Sequence, residues 1–359
     1  MFMLLTAACQ EPDDDSYTCK ANTTSHQFVW EVDTLDIIYS ELDDMTAISK
    51  TDVWMVGYFN TRQSIDEDSG LINAIHWDGL DYEMLQIPGR MYGDSLHPHQ
   101  IYSVFALSID DIWITFSTGA YGHWDGNVWR SELIGEARGG LLDIWGTSND
   151  NLYFSGTNGS LTLFDGQQFS LIETNTDITL TDIYGFDEDH IWMVGFDTRT
   201  GSIRNIVLAY QDGNWLEIHN REDFEDNFPP NDLTRPSGEI ECLWAHGDTL
   251  YLGGISLWKE SISTGEGYLV PLEQLDWGLR YGMSHLVGNQ SNDIFAFPVL
   301  GLRMTHFNGN EWRQEPYFTE LDPSRTNFSI RAVSVLDNDI FIAAVDFSTG
   351  NHLIFRGQR

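Results

Sequence analysis

The chain has 359 residues, of which 42% are hydrophobic and 13% aromatic, so it can bury a large core and is globular. Eighteen Lys and Arg residues stand against 55 Asp and Glu residues, which gives a formal net charge of −37 at pH 7. This charge opposes binding to nucleic acids and anionic lipid headgroups, and no run of basic residues offers a local exception. The acidity fits either a highly soluble surface or acidic loops that bind Ca²⁺.

The first nine residues read MFMLLTAAC, a short apolar run followed by small residues and Cys9. Such a run predicts the remnant of a secretory signal peptide over residues 1–9. The small residues before Cys9 resemble the lipobox of bacterial lipoproteins. This resemblance implies cleavage before Cys9 and lipidation of its thiol, with membrane attachment through that lipid only. The alternative is an ordinary secretory signal or a chance N-terminal sequence.

Residues 10–27 begin with the acidic run QEPDDD and stay polar to Gln27, which predicts an acidic flexible tether. An acidic run directly after the lipidated cysteine is similar to the export signal of surface lipoproteins in Bacteroidetes-type bacteria. The similarity implies an outer-membrane lipoprotein of the cell envelope, either surface-exposed or periplasmic. In such an oxidising compartment Cys19 and Cys242 could form a disulfide; alternatively, Cys242 is a buried free thiol and Cys19 is unpaired.

Residues 101–134 contain four short runs in which apolar and polar residues alternate, at 101–107, 112–116, 120–124 and 128–134. Alternation with a period of two, joined by Asp-rich or Gly-containing turns, predicts four antiparallel strands. The last two runs are joined by the segment WDGNVW at 124–129, in which Asp-Gly favours a hairpin turn and the flanking Trp residues can pack across the two strands.

This unit recurs along the chain. An acidic or Asn-containing turn followed by an apolar and an aromatic residue occurs seven times, with the aromatic residue at Trp54, Trp113, Tyr153, Trp192, Tyr251, Phe295 and Phe341. A period of about 40 residues with four strands is typical of a β-propeller blade. The hairpin segment recurs at 77–82, 164–169 and 307–312, shifts by one residue at 210–215, and is replaced in the fifth unit by a turn at 263–267.

The seventh unit ends before its fourth strand, whereas the run VWEV at 29–32 resembles the fourth strands of other units. An N-terminal strand is therefore predicted to complete the last blade, which closes the ring and protects its strand edges. The predicted fold is all-β, a seven-bladed β-propeller of four-stranded antiparallel blades spanning residues 28–359. His76, His123 and His306 precede hairpin aromatics at one repeat position, which predicts a repeated packing role.

The combination of DIW-type and WDGxxW-type repeats resembles that of bacterial cell-envelope propeller lipoproteins, and more distantly WD40, Kelch and Asp-box propellers. The resemblance implies the fold for residues 28–359 but little about activity, because the function of the lipoprotein family is mostly unassigned and propellers serve many functions.

The insertions in the repeat fall between strands two and three or between blades, and both connections emerge on one face of a propeller. Long loops on a rigid scaffold are the usual place for binding sites, which here means residues 60–70, 86–100, 197–205, 220–239, 274–284 and 316–329. In these loops Trp277, Arg280 and Tyr281 form an aromatic and basic cluster suited to stacking on a sugar or anchoring a protein, unless it only packs onto the rim. Arg199, Arg204 and Arg280 are candidate substrate clamps if the protein is a glycoside hydrolase or lyase.

Metal ligands are a weaker prediction. His97 and His99 could bind a ligand or a metal, but two His residues without a third ligand do not define a site. The loop carboxylates that could bind calcium are Asp66, Asp68, Asp223 and Asp226, although their spacing matches no defined calcium loop and solvated loops are the alternative. No cofactor is expected apart from such calcium.

The sequence favours a lipid-anchored, monomeric propeller that binds a carbohydrate or a protein without catalysis. It contains no G-x-S-x-G elbow, phosphate-binding loop, dinucleotide fingerprint or HExxH motif. One alternative is a glycoside hydrolase or lyase that uses carboxylates on the rim. Another is a structural subunit of a cell-envelope complex.

Overall fold

Seven four-stranded antiparallel sheets make up the fold, in a computed structural model that describes residues 23–61, 71–91, 95–135, 137, 139–198, 202–224, 236, 239–271, 282–322 and 327–359. The innermost strand of each sheet contacts the innermost strands of the sheets on either side, and the last sheet contacts the first in the same way. The sheets therefore close into a ring. The predicted all-β, seven-bladed β-propeller is confirmed.

The strands are numbered in chain order, and each blade is described from the central axis outward. The chain enters through β1 (Val29–Leu35), which is the outermost strand of blade 7. Blade 1 contains β2 (Ile38–Ser49), β3 (Asp52–Asn60), β4 (Ile72–Trp77) and β5 (Tyr82–Leu85), and a small hairpin of β6 (Pro88–Arg90) and β7 (Leu96–Pro98) follows it. Blade 2 contains β8 (Ile101–Ser108), β9 (Asp111–Phe116), β10 (Ala120–Trp124) and β11 (Trp129–Leu133).

Blade 3 contains β12 (Leu141–Ser148), β13 (Asn151–Gly156), β14 (Leu161–Phe164) and β15 (Phe169–Leu171), and blade 4 contains β16 (Leu180–Asp187), β17 (His190–Asp197), β18 (Ser202–Gln211) and β19 (Asn214–Phe224). Blade 5 contains β20 (Cys242–His246), β21 (Thr249–Gly253), β22 (Leu257–Ser261) and β23 (Gly267–Leu269). Blade 6 contains β24 (Met283–Gln290), β25 (Asp293–Pro298), β26 (Thr305–Phe307) and β27 (Trp312–Gln314), and the short helix α1 (Pro316–Leu321) follows it. Blade 7 contains β28 (Phe328–Leu336), β29 (Asp339–Asp346), β30 (Asn351–Gln358) and β1.

The recurring hairpin joins strands three and four of a blade as expected. In blade 2, Trp124 and Trp129 lie opposite each other, with ring centroids 5.8 Å apart. Between them, Gly126 adopts a φ of +84°, and the Asp125 carboxylate accepts hydrogen bonds from the main-chain N–H groups of Asn127 and Val128 at 3.0 Å each. The Asp-Gly pair therefore satisfies the turn's backbone donors as well as its geometry.

Seven apolar clusters fill the spaces between neighbouring blades, one at each contact. Trp113 of blade 2, for example, contacts Phe154 and Phe164 of blade 3, with ring centroids 6.2 and 5.2 Å away. Tyr153 of blade 3 contacts Trp215 of blade 4 at 5.8 Å. The repeat's aromatic residues thus act as wedges between blades, and a single blade could not bury its apolar face alone.

The three repeated His residues have the packing role that the sequence predicts. His123 stacks on Trp113 with ring centroids 4.0 Å apart, and its Nε2 atom lies 2.8 Å from the Asp111 carboxylate. The same trio recurs in blade 1 as His76, Trp54 and Asp52, and in blade 6 as His306, Phe295 and Asp293.

The N-terminal strand closes the ring, as predicted. β1 pairs with β30 along its whole length of seven residues. The segment before β1 lies on blade 6, where the Thr24 hydroxyl donates to the main-chain oxygen of Asn292 at 2.8 Å. At the other end of the chain, the Arg359 guanidinium donates to both carboxylate oxygens of Asp293 at 2.7 and 2.6 Å. Among the described residues, no helix combines the length and apolar composition needed to cross a membrane.

Candidate functional site: the central cavity

The innermost strands of the seven blades surround a central cavity of about 470 Å³. Each of these strands begins on the face that carries the connections between blades and between strands two and three. In six of the seven strands a shift of register occurs near this end, so one extra residue is inserted opposite the second strand. Such bulges redirect side chains, and here they separate two consecutive positions around the cavity.

We call these positions the mouth ring and the inner ring. The mouth ring consists of Asp43, Tyr102, Leu142, Thr181, Glu241, Ser284 and Arg331. The inner ring, one residue further along each strand, consists of Asp44, Ser103, Asp143, Asp182, Cys242, His285 and Ala332. Arg331 and Ala332 are assigned by register alone, since β28 lines the cavity through residues 333–335. Beyond them, aromatic side chains that include Phe105, Trp145, Tyr184 and Trp244 line the cavity.

Three inner-ring carboxylates connect their blade to the next one. The main-chain N–H of Val104 in blade 2 donates to Asp44 at 2.8 Å. The main-chain N–H of Ile183 in blade 4 donates to Asp143 at 3.0 Å, and that of Leu243 in blade 5 donates to Asp182 at 2.8 Å. These carboxylates therefore hold the ring together around the cavity.

The inner-ring carboxyls are also connected to each other. The Ser103 Oγ atom lies 2.9 Å from a carboxylate oxygen of Asp44 and 2.9 Å from one of Asp143. The Asp143 and Asp182 carboxyls lie close enough that each affects the ionisation of the other. Burial, with a contribution from Asp143, raises the pKa of Asp44 to about 7. Burial also raises the pKa values of Asp143 and Asp182, the latter further because of its contact with Asp143.

The mouth ring carries carboxyls with fewer partners. Asp43 accepts a hydrogen bond from the Gln100 side chain at 2.8 Å, and burial raises its pKa to about 6. Burial and the neighbouring Glu239 raise the pKa of Glu241 to about 7. Arg331 partly offsets this acidity, since its charge lowers the pKa of Asp43. The mouth is thus an acidic rim around a partly aromatic cavity.

The structure places the sequence-predicted binding residues in different ways. Arg204 lies on β18, with its guanidinium 2.7 Å from the carboxylate of Asp177 and 3.4 Å from that of Asp197. It therefore links the third strand of blade 4 to the connection from blade 3. Four predicted site residues lie outside the described residues: Trp277, Arg280 and Tyr281, which precede β24 in the sequence, and Arg199.

His97 and His99 lie at the hairpin of β6 and β7 and just after it. His97 is exposed on β7. His99 follows the strand, its main-chain oxygen accepts a hydrogen bond from the buried Asn73 side chain at 2.7 Å, and burial lowers the pKa of its imidazole. Asn73 also bonds the main-chain oxygen of Ile87, so it anchors both ends of the connection that carries this hairpin.

The predicted calcium ligands Asp66, Asp68 and Asp226 lie outside the described residues, and for Asp223 only the main chain, in β19, is described. Within the described ranges no three His, Cys, Asp or Glu side chains converge on a metal position. Cys242 is buried in the inner ring and forms no disulfide with a described residue, whereas Cys9 and Cys19 lie outside those ranges.

The inner-ring carboxylates are the site residues that sequence reasoning missed. A signal was present, because Asp44, Asp143 and Asp182 each stand ten positions before the repeat's aromatic residue. The repeat pattern alone does not show that this position faces the central axis, where the closed ring brings the three carboxyls together.

Comparison with solved structures supports the fold. A structure described as YCF48 bound to D1 peptide has a TM-score of 0.65 and 15% identity, covering 96% of this chain and 99% of that one. The extracellular domain of the one-component system BT4673 from B. thetaiotaomicron has a TM-score of 0.56 and 12% identity, covering 89% of this chain and 40% of that one. PorZ, a bacterial surface component of the type-IX secretion system of Porphyromonas gingivalis, has a TM-score of 0.51 and 12% identity, covering 89% of this chain and 38% of that one. No family model and no curated protein matches the sequence.

Proposed function

We propose that this protein is a lipid-anchored interaction module of the bacterial cell envelope that binds a protein partner at the mouth of its central cavity. The observation that carries this proposal is the 470 Å³ cavity, whose mouth ring lies near the starts of the innermost strands, at the face that receives the connections between blades. A concave site with aromatic walls and a few convergent polar groups of perturbed pKa is the usual form of a binding site.

The chemistry of the mouth indicates the kind of partner. Asp43 and Glu241 offer carboxylates at the rim, and the chain as a whole carries a net charge of −37. A partner segment with Lys or Arg side chains is therefore favoured over an acidic one. The fold neighbours support a binding role, because one of them is a propeller described with a bound peptide and two others come from bacterial surface or extracellular proteins.

A variant with reduced mouth charge tests the partner proposal. Asp43→Asn combined with Glu241→Gln should reduce the amount of partner that copurifies with the tagged protein from its native envelope by at least tenfold. The matched control is Asp110→Asn combined with Glu188→Gln, which removes two exposed carboxylates on the opposite face. Equal recovery of the partner with both double variants would contradict the proposal. Saturable binding to a glycan array that is lost in the mouth variant would show instead that the ligand is a carbohydrate.

Lipid attachment is tested separately. Incorporation of labelled palmitate should require Cys9, so Cys9→Ser should release the protein from the membrane fraction. If the Cys9→Ser variant carried no label but stayed in the membrane fraction, the proposed lipid anchor would be wrong. The proposed binding site at the cavity would not be affected by this result.

The second candidate is a glycoside hydrolase or lyase, favoured by the same carboxyls. A glycosidase needs one carboxylic acid that stays protonated near neutrality and one carboxylate, and Glu241 with its pKa near 7 lies beside Glu239. Release of reducing sugar from a glycan that binds, lost in Glu241→Gln with binding retained, would establish this activity. Binding of the glycan without release of reducing sugar would exclude this activity and would be consistent with a non-catalytic interaction module.

A further inference from the structure

If every carboxyl of the inner ring were ionised, its side chains would have too few protons for the hydrogen-bond contacts that they make. The Ser103 hydroxyl has one proton but lies 2.9 Å from oxygens of both Asp44 and Asp143. The Asp182 carboxyl of blade 4 lies next to Asp143, and the two carboxyls affect each other's ionisation. Hydrogen bonds at both Ser103 contacts need two protons, a bond between Asp143 and Asp182 needs a third, and an ionised carboxylate is only an acceptor. Since Ser103 supplies one proton, a chain with all three bonds takes the other two from the carboxyls.

We propose that Asp44, Ser103, Asp143 and Asp182 form a proton-sharing chain that joins blades 1 to 4 across the cavity wall and makes the cohesion of the ring depend on pH. With two shared protons the chain carries one negative charge instead of three. Loss of these protons would replace two hydrogen bonds by repulsion among the carboxylates of blades 1, 3 and 4.

No positively charged group contacts the proton-sharing chain among the described residues around it, so no neighbouring charge can replace its protons. His285 is the inner-ring histidine, and burial lowers its pKa to about 4, so it is neutral near pH 7. The charge of Arg331 at the mouth lowers the pKa values of Asp43 and His285. The other titratable side chains around the chain, Glu41, Asp43, Tyr102, Tyr184, Glu241 and Cys242, are neutral or acidic.

The direction of the pH dependence follows from these contacts. The unfolded carboxyls titrate near pH 4, whereas the folded pKa of Asp44 is about 7. The folded protein therefore holds protons that the unfolded chain has released. Each such proton lowers the folding equilibrium constant about tenfold for every unit of pH above about 4, until the folded carboxyl itself ionises. The stability contributed by the proton-sharing chain is thus complete below about pH 4 and is lost as the pH rises from there to about 7.

Asp182→Asn is the sharpest test, because the Asn amide can still donate to Asp143 and its oxygen can still accept from Leu243. The variant needs no carboxyl proton at this position. Urea unfolding at a series of pH values measures the folding equilibrium constant of both proteins. Between pH 5 and 7 the constant of the wild type should fall by an additional factor of about ten per pH unit compared with that of the variant. Asp110→Asn, an exposed control on a turn, should follow the wild type, and the histidines contribute equally to all three proteins.

A spectroscopic readout keeps the proposal testable if a variant does not fold. Infrared spectra of the folded wild type at pH 6 should show the C=O stretch of protonated carboxylic acids. Part of this band should disappear in Asp182→Asn, and its frequency should shift in Ser103→Ala, which removes the bridging hydroxyl. Equal pH slopes for wild type and Asp182→Asn, or a wild-type spectrum without protonated carboxyl bands at pH 6, would overturn the proposal.

Discussion

At the scale of single residues, one repeat position has different energetics in different blades. The pair of His123 and Asp111 is partly exposed, with side-chain exposures of 26% and 21%, whereas His306 and Asp293 are only 2% and 4% exposed. Burial alone would raise the pKa of Asp293, but hydrogen bonds from His306 and Arg359 lower it to about 2. The blade 6 pair is thus part of a buried ionic cluster that joins the two ends of the chain.

Removing the buried carboxylate should cost far more than removing the exposed one. We expect Asp293→Asn to lower the free energy of unfolding by about 3 kcal/mol, because it leaves the Arg359 charge buried without its partner. Asp111→Asn should cost about 1 kcal/mol or less. Urea unfolding at pH 7 provides both values, and equal losses would contradict the account.

The same site predicts a pH dependence of opposite sign to that of the inner ring. Since the folded pKa of Asp293 is about 2 and the unfolded value is near 4, its contribution is complete above pH 4 and is lost as the pH falls towards 2. The difference in stability between wild type and Asp293→Asn should therefore shrink over that interval. A difference that stays constant down to pH 2 would show that Asp293 is not ionised in the folded protein.

At the scale of elements, the hairpin between strands three and four explains a register difference in the sequence. In blade 2, four residues separate the paired Trp124 and Trp129. In blade 4 the aromatics Tyr210 and Trp215 also pair, but the ladder continues to Gln211 and Asn214, and Asp212 and Gly213 form a two-residue turn with φ values of 51° and 81°. This is the type I′ geometry that Asp-Gly favours, which accounts for the shifted motif.

Two glycines separate the backbone cost of such a turn from its packing cost. Gly213 has a positive φ, and no atom lies within 4 Å of the position that an added Cβ would occupy, so Gly213→Ala should cost about 1 kcal/mol. Gly79 has a φ of +93°, and an added Cβ would lie 2.7 Å from the Cβ of Thr51. Gly79→Ala should therefore cost clearly more in urea unfolding, and the reverse order would contradict the turn geometry.

At the scale of the whole molecule, the ring depends on one strand contributed by the start of the chain. β1 covers β30, and the contact between blades 7 and 1 includes the Arg356 guanidinium, which lies 4.5 Å from the centre of the Trp77 ring and 2.9 Å from the Asp33 carboxylate. Asp33 also accepts a hydrogen bond from Tyr82 of blade 1 at 2.7 Å. Loss of β1 would remove this contact and expose the edge of β30.

Deletion of residues 1–36 should therefore abolish cooperative unfolding and cause association through β30, whereas deletion of residues 1–22 should leave a monomer with unchanged thermal unfolding. Size-exclusion chromatography and calorimetry would distinguish the two. A monomeric, cooperatively folded 37–359 protein would contradict closure by β1.

The repeat made most of this architecture predictable from the sequence. Its seven aromatic wedges, its hairpin turns and the displaced fourth strand at 29–32 are local patterns with local physical causes. The inner ring was not predictable in that way, because Asp44 and Asp143 meet through Ser103 only when blades 1, 2 and 3 curve around the axis. For the same reason the pairing of Arg204 with Asp177, on a neighbouring connection, could not be inferred from either residue's surroundings in the chain.

The most direct test of the binding site is site-specific photocrosslinking on intact cells. A photoreactive amino acid in place of Tyr102 in the mouth ring should crosslink to one discrete protein partner. The same group in place of Asn127, on a turn at the opposite face, should not. Crosslinking from position 127 but not from position 102 would place the interaction on the other face and contradict the central claim that the cavity mouth binds the partner.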